Sequence, residues 1–324
     1  MNTNSEKLLE VKDLHTHFFT RKGVVKAVDG VSFDLEPGRI LGLVGESGAG
    51  KSITGFSILG LIDPPGKVVS GEIIFQGRDL AKLPEEELVK IRGKQISMVF
   101  QDPQTSLDPV FTIGYQITEA LKAHGEKNME KNWAKAEELL RMVGIPSPKD
   151  RLADYPHQFS GGMRQRVGIA IAMASDPYLI IADEPSTALD VTIQAQVLTL
   201  MRKLVKSHGA SMILITHDIA LVGQFCDEIC VMYAGCLVEK GLKETVIRKP
   251  VHPYTQGLIA SIPGSQKRRR RLKQIPGIMP SLLDLPPGCP FLPRCELGDE
   301  TCRIRPELKE TAPGHLAACH KVGS

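Results

Sequence analysis

Eight consecutive residues, Gly45, Glu46, Ser47, Gly48, Ala49, Gly50, Lys51 and Ser52, have the types and spacing that suit a polyphosphate. Glycines let backbone N–H groups turn toward an anion, the Lys51 ammonium can reach terminal phosphates, and the Ser52 hydroxyl can ligate Mg²⁺. The apolar run Ile40–Val44 precedes them and a helix-compatible segment follows, which gives strand, loop and helix in order. That order points the positive end of the helix dipole at the phosphates. A second chemical feature is the pair Asp183 and Glu184, which ends the apolar run Tyr178–Ala182. Buried strands do not usually finish in unpaired carboxylates, because desolvating a charge is costly. Mg²⁺ is the natural partner for Asp183, leaving Glu184 to polarise an attacking water. A third feature, Ser160, Gly161, Gly162 and Met163, opens a helix-compatible run through Ala174, with Ser160 as N-cap and the glycine N–H groups free for a second anion contact.

Elements that could position these groups recur along the chain. Apolar, β-rich runs fall at Ile40–Val44, Glu72–Phe75, Gln95–Phe100, Tyr178–Ala182, Ser211–Thr216 and Ile229–Tyr233, with helix-compatible stretches between several of them. The alternation predicts an α/β fold: a mostly parallel sheet covered by helices, with antiparallel strands early in the chain. Residues 104–159 break the pattern, since Ile113–His124 and Trp133–Val143 read as amphipathic helices without a strand between them. They form a helical insertion. After Gly241, prolines at 250, 253, 263, 276, 280, 286 and 287 forbid long helices and central strands, so residues 251–324 read as a loop-rich extension to a domain of residues 1–250. Such an extension can hardly build its own apolar core, and calls for an external staple.

A chain of 324 residues, 42% hydrophobic and 24% charged, has room for one large α/β domain and a smaller unit. Its net charge of +3 is too small to imply nucleic acid as a partner. The run Lys267–Lys273 is a basic linker face or a contact for an anionic partner. The N-terminus lacks a signal-peptide pattern and no apolar run is long enough to span a bilayer, so a cytosolic location is expected. In a reducing compartment, seven cysteines argue for metal where they cluster. Cys289, Cys295, Cys302 and Cys319 do cluster, and four thiolates suit Zn²⁺ or a [4Fe–4S] cluster; their spacing chooses neither. Cys226, Cys230 and Cys236 read as small core residues. His315 and His320 read as surface residues of the extension.

Taken together, these motifs resemble the ABC ATPases over roughly residues 8–245: Gly45–Ser52, then Gln101 after its strand, Phe159 to Met163 as the signature, Asp183 and Glu184, Ser186 to Asp190 as the D-loop, and His217. The resemblance implies a P-loop core with an antiparallel β subdomain and a helical insertion. It places ATP against Gly45, Ser47, Gly48, Ala49, Gly50, Lys51, Ser52 and Ile53, with Phe18 stacked on adenine and Phe19 as its neighbouring competitor. It assigns Mg²⁺ to Ser52, Gln101 and Asp183, hydrolysis to Glu184 and His217, and a subunit-pairing role to Asp190. Ser160, Gly161, Gly162 and Met163 would face the ATP of a partner subunit.

The segments Val251 to Thr255, Gly257 to Pro263 and Ala188 to Gln196 resemble the oligopeptide and dipeptide importer subgroup, which extends the likeness over nearly the whole chain. That likeness implies an ATPase subunit energising di- or oligopeptide import at the cytoplasmic face of the membrane. Its implied partners are a second, nonidentical ATPase subunit, two membrane permeases and an extracytoplasmic solute-binding protein, with no nucleic acid. It also favours iron–sulfur over zinc at the four cysteines. Import of nickel, glutathione or a sugar oligomer stands as an alternative, as does a soluble ABC ATPase acting on nucleic acid or ribosomes.

Overall fold

A computed structural model describes residues 7–102, 106–125, 127–186, 190–262 and 274–322. The chain divides into two compact units, residues 1–82 with 214–324, and residues 83–213. The first leg of the first unit holds β1 (Leu9–Thr20), β2 (Gly23–Leu35), β3 (Ile40–Val44), α1 (Lys51–Leu59), β4 (Gly66–Phe75) and β5 (Arg78–Asp79). The second unit holds α2 (Glu85–Ile91), β6 (Ile96–Val99), α3 (Ile113–Ala123), α4 (Met129–Met142), α5 (Pro148–Arg151), α6 (Gly161–Met173), β7 (Leu179–Asp183) and α7 (Val191–Ser207). β8 (Ser211–Thr216) carries the boundary, and the chain returns through α8 (Ile219–Phe225), β9 (Glu228–Tyr233), β10 (Cys236–Leu242), α9 (Lys243–Arg248), α10 (Pro253–Ala260), β11 (Lys309–Ala312) and β12 (His315–Ala317).

In the first unit, β2, β1, β4 and β5 form an antiparallel sheet in that order, the expected early subdomain. β3 pairs in parallel with β9, and every residue of β3 is buried, as its unbroken apolar sequence requires. The Thr16 and Ser57 hydroxyls, 2.7 Å apart, tie β1 to the helix that follows the phosphate loop. In the second unit β6 and β7 run parallel, from Ile96 opposite Leu179 to Val99 opposite Ala182. The helices expected in the insertion are α3 and α4; each begins at a side-chain cap, Thr112 accepting from the Tyr115 amide and Asn128 from that of Lys131.

The extension departs from expectation in its packing. It does not depend on an external staple alone, because β12 adds to the edge of β10, with Glu239 opposite Ala317, and β11 pairs with β12 in turn. Tyr254 and Phe291 are buried, their rings lying 5.5 Å apart, each also against Tyr233. His315 is a second correction: it is buried, 2.7 Å from an oxygen of the fully buried Glu239, whereas His320 is exposed as expected. Strand pairing is what takes His315 inside, where a charge partner satisfies its polar ring. Cys226, Cys230 and Cys236 are core residues.

His252 starts α10, its Nδ1 accepting the Tyr254 amide proton, and burial pushes its pKa down to about 3. In the unfolded chain the imidazole titrates near 6.5, so between these values the unfolded state binds the extra proton. Stability from His252 is therefore full above about pH 6.5 and falls as pH drops toward about 3. Thermal melts across that window should show a flatter decline for His252→Asn than for the unsubstituted chain; parallel declines would exclude His252 as the source.

Candidate functional site

In the first unit the phosphate loop links the buried end of β3 to α1. Gly50 caps α1 at φ 98°, and a Cβ there would lie 2.2 Å from the Ala27 carbonyl oxygen. A Cβ on Gly45 would meet the Met232 carbonyl oxygen at the same distance, so neither position admits a side chain. Lys51 is almost fully buried, and its Nζ donates to the carbonyls of Gly45 and Glu46 at 2.9 and 3.0 Å. The loop thus forms a compact ring around its own ammonium, with Ser52 and Ile53 in the first turn of α1. Among acceptors for that ammonium, a terminal phosphate would be stronger than a backbone carbonyl because it carries charge.

Phe18 lies on β1 against Gly66, where an added Cβ would come within 2.5 Å of its ring. Phe19 is exposed instead, with the Lys67 ammonium 4.8 Å from its ring centroid. His217 is exposed between the end of β8 and Asp218, whose side chain caps α8 through the Ala220 and Leu221 amides.

In the second unit Asp183 ends β7 and Glu184 follows it; both are buried. Glu184 has φ 42°, an uncommon backbone conformation for a non-glycine residue. Gln101, two residues beyond β6, donates from Nε2 to Glu184 Oε2 at 3.0 Å. The parallel register of β6 and β7 explains this meeting: both strands deliver their next residues at the same end. Glutamine and glutamate thus share one polar cluster beside Asp183. Such a cluster can ligate a cation and orient a water.

The signature segment has the expected cap: Ser160 Oγ accepts the Met163 amide at 3.3 Å as α6 begins. Ser160 and Gly161 are exposed, and Phe159 is buried, with the Arg151 guanidinium 5.7 Å from its ring. Arg164 holds the approach by donating from Nε to the Pro156 and Phe159 carbonyls. Asp190 caps α7 through the Ile193 amide; the remainder of the expected D-loop, residues 187–189, lies outside the described residues, as does the basic run of residues 267–273.

The four extension cysteines are free thiols; Cys289 and Cys302 are buried. The Cys289 amide donates to the Cys302 carbonyl, and burial pushes the Cys289 thiol up to about 11, with Cys302, Cys319 and Cys295 adding to the rise. The four sulfurs are soft donors that form no disulfide, but among the described residues no three of them lie within 4.8 Å of one another, so the fold presents no closed zinc site there.

His15, His17 and Asp29 also converge, within 4.8 Å of one another. His15 bridges Asp13 and Asp29 at 3.1 Å each, while Arg305 donates to both Asp29 Oδ2 and its carbonyl at 2.6 Å. Burial raises the Asp29 pKa, but Arg305, together with Lys26 and His15, holds the carboxyl below its usual range. The Arg305 cation already occupies this acid, so the cluster is an ion network that fastens the extension to β1 and β2.

Phosphate loop, acidic pair and serine-capped glycines, set on parallel strands with an antiparallel sheet and a helical insertion, define a nucleotide-binding ATPase of the ABC class. Residues 28–187 match the ABC transporter family, and residues 238–302 match the oligopeptide/dipeptide transporter C-terminal region. The oligopeptide transport ATP-binding protein OppD of Escherichia coli is 48% identical over 98% of this chain and 94% of its own length. The dipeptide transport ATP-binding protein DppD of Bacillus subtilis is 48% identical over 97% and 94%. A dimeric ATP-binding cassette solved with ADP and phosphate superposes with a TM-score of 0.65 at 28% identity, covering 72% of this chain and 98% of that one. The chain belongs to the ABC transporter ATP-binding proteins, in the group that carries the oligopeptide/dipeptide C-terminal region.

Sequence reasoning had not assigned roles to Glu239, Tyr254 and Arg294. Tyr254 Oη accepts the Glu46 amide at 2.9 Å, and Arg294 Nη1 donates to Glu46 Oε2 at 2.9 Å. Pro253 beside Tyr254, and Pro293 and Cys295 beside Arg294, give no local indication of their distant partner.

Proposed function

We propose that the chain is the ATP-hydrolysing subunit of a di- or oligopeptide importer at the cytoplasmic face of the membrane. Its likeness to peptide-transport ATP-binding proteins over nearly its full length carries this reading. Among the described residues no helix is long and apolar enough to cross a membrane, so translocation requires permease partners. Two permeases, an extracytoplasmic solute-binding protein and a second, nonidentical ATPase subunit complete the machine. Uptake of labelled di- and tripeptides should stop in cells lacking the chain and return with the unsubstituted protein but not with Glu184→Gln. Normal uptake without the chain would overturn the assignment.

In this reading Gly45, Ser47, Gly48, Ala49, Gly50, Lys51, Ser52 and Ile53 hold the ATP phosphates, and Phe18 stacks on adenine. Ser52, Gln101 and Asp183 would hold Mg²⁺, which would supply positive charge against the phosphates. Glu184 and His217 position the attacking water, while Ser160, Gly161, Gly162, Met163 and Asp190 act at the ATP of the partner subunit. Electrostatic positioning supplies the acceleration, without a covalent enzyme intermediate.

Cys289, Cys295, Cys302 and Cys319 would hold a [4Fe–4S] cluster, whose bound form would cross-link the loops of the extension. The soft donor set supports metal, and the subgroup likeness favours iron over zinc. Anaerobically purified protein should be brown and contain acid-labile sulfide; colourless protein with one zinc per chain would replace the cluster with zinc.

A further inference from the structure

The extension touches the phosphate loop itself. Glu46 is the second residue of that loop, and its amide and its carboxylate are each engaged by a side chain more than two hundred positions away. Its amide donates to the fully buried Tyr254 hydroxyl at 2.9 Å, and its carboxylate Oε2 accepts from Arg294 Nη1 at 2.9 Å.

Arg294 is built in rather than laid on the surface. Its Nε donates to the Pro276 carbonyl at 2.8 Å and its Nη1 reaches the Tyr233 hydroxyl at 3.3 Å. The guanidinium lies 5.8 and 5.9 Å from the ring centroids of Tyr233 and Phe291. Tyr254 is wedged against the same two rings, at 4.7 and 5.5 Å. Arg294 ends the short 3₁₀ turn Leu292–Arg294, which Cys289 precedes and Cys295 follows. Met279, also from the extension, approaches Gly48, where an added Cβ would meet its Cε at 3.1 Å.

A carboxylate within a loop that must bind polyphosphate is electrostatically unfavourable unless a cation cancels it. We propose that Arg294 and Tyr254 are positioning residues for ATP: Arg294 neutralises Glu46 and Tyr254 fixes the Glu46 amide, so the extension holds the phosphate loop ready for its anion. The inference rests on the ATPase reading above. It gives the extension a task at the nucleotide, in addition to whatever its cysteines hold.

The test uses the full chain and a fluorescent ATP analogue, together with steady-state hydrolysis. Arg294→Met should weaken binding and raise KM about tenfold, the scale of one uncompensated charge near a partly buried anion, with kcat changed less than twofold. Arg294→Lys should recover part of the loss. The decisive variant is the double substitution Arg294→Met with Glu46→Gln: removing the carboxylate that Arg294→Met leaves uncompensated should restore affinity to within about twofold of the unsubstituted chain. Glu46→Gln alone should bind at least as tightly as the unsubstituted chain, and it tests the charge argument even if Arg294→Met fails to fold. Unchanged KM in folded Arg294→Met, no restoration in the double variant, or weakened binding by Glu46→Gln alone would each overturn the brace. Failure of the ATPase reading is separate, since the unsubstituted chain would then neither bind nor hydrolyse ATP.

Discussion

Glu184→Gln should bind ATP with near-native affinity yet release phosphate about 10²- to 10⁴-fold more slowly, the usual contribution of a positioned general base. The reason is local geometry. Glu184 is buried directly after the strand that ends in Asp183, and Gln101 Nε2 directs one carboxylate oxygen from 3.0 Å. Its φ of 42° places the side chain where ordinary strand geometry would not, at a conformational cost of about 1–3 kcal/mol. Glutamine has the same shape and can still accept from Gln101 through its amide oxygen, so folding and nucleotide binding should survive. What it loses is a basic oxygen for the water. Single-turnover phosphate release and nucleotide titration on the same sample separate the two effects; a near-native hydrolysis rate would remove Glu184 from the role.

Where chemistry and local pattern coincide, the sequence is easy to read. Gly45–Ser52 follows five consecutive buried apolar residues, and Ser160 both caps α6 and precedes two glycines, so strand, loop and cap are all encoded within a few positions. β1 and β2 are harder, because their pairing contains register shifts and their outward faces alternate polar and apolar residues. At such bulges the two-residue period slips, and the pattern no longer identifies a strand. The extension is hardest. His315 has Gly314 before it and few bulky neighbours in sequence, yet it is buried because Glu239, 76 positions away, receives its ring nitrogen. Arg294 and Tyr254 are separated from Glu46 by 248 and 208 positions. Partners at those separations leave no periodic trace, so the part of the site supplied by the extension emerges only from tertiary structure.

Glu239→Ala should loosen the attachment of the extension to β10 and lower stability by about 3–5 kcal/mol, as removal of one partner from a buried hydrogen-bonded charge cluster does. Its Oε1 accepts from the Val251 amide at 2.9 Å and from His315 Nε2 at 2.7 Å; its Oε2 accepts from the His252 amide at 2.9 Å. One carboxylate on β10 therefore fixes the entry to α10 and the strand β12 together. Alanine leaves three donors without that acceptor and opens a space that water must fill. Glu239→Gln keeps an acceptor oxygen but exchanges the other for an N–H₂ donor, which would face a donor already present, so it should fall between the two. Thermal melts measure the stability, and limited proteolysis should begin near residue 250 in the alanine variant before the phosphate-loop strand is cut. Since α10 carries Tyr254, loosening its start should also weaken ATP binding, linking a stability defect to a nucleotide defect through the Glu46 amide. A melting temperature within about 2 °C of the unsubstituted chain would show that the extension is held elsewhere, because a loss of this size in a domain of this length shifts the midpoint by more than that.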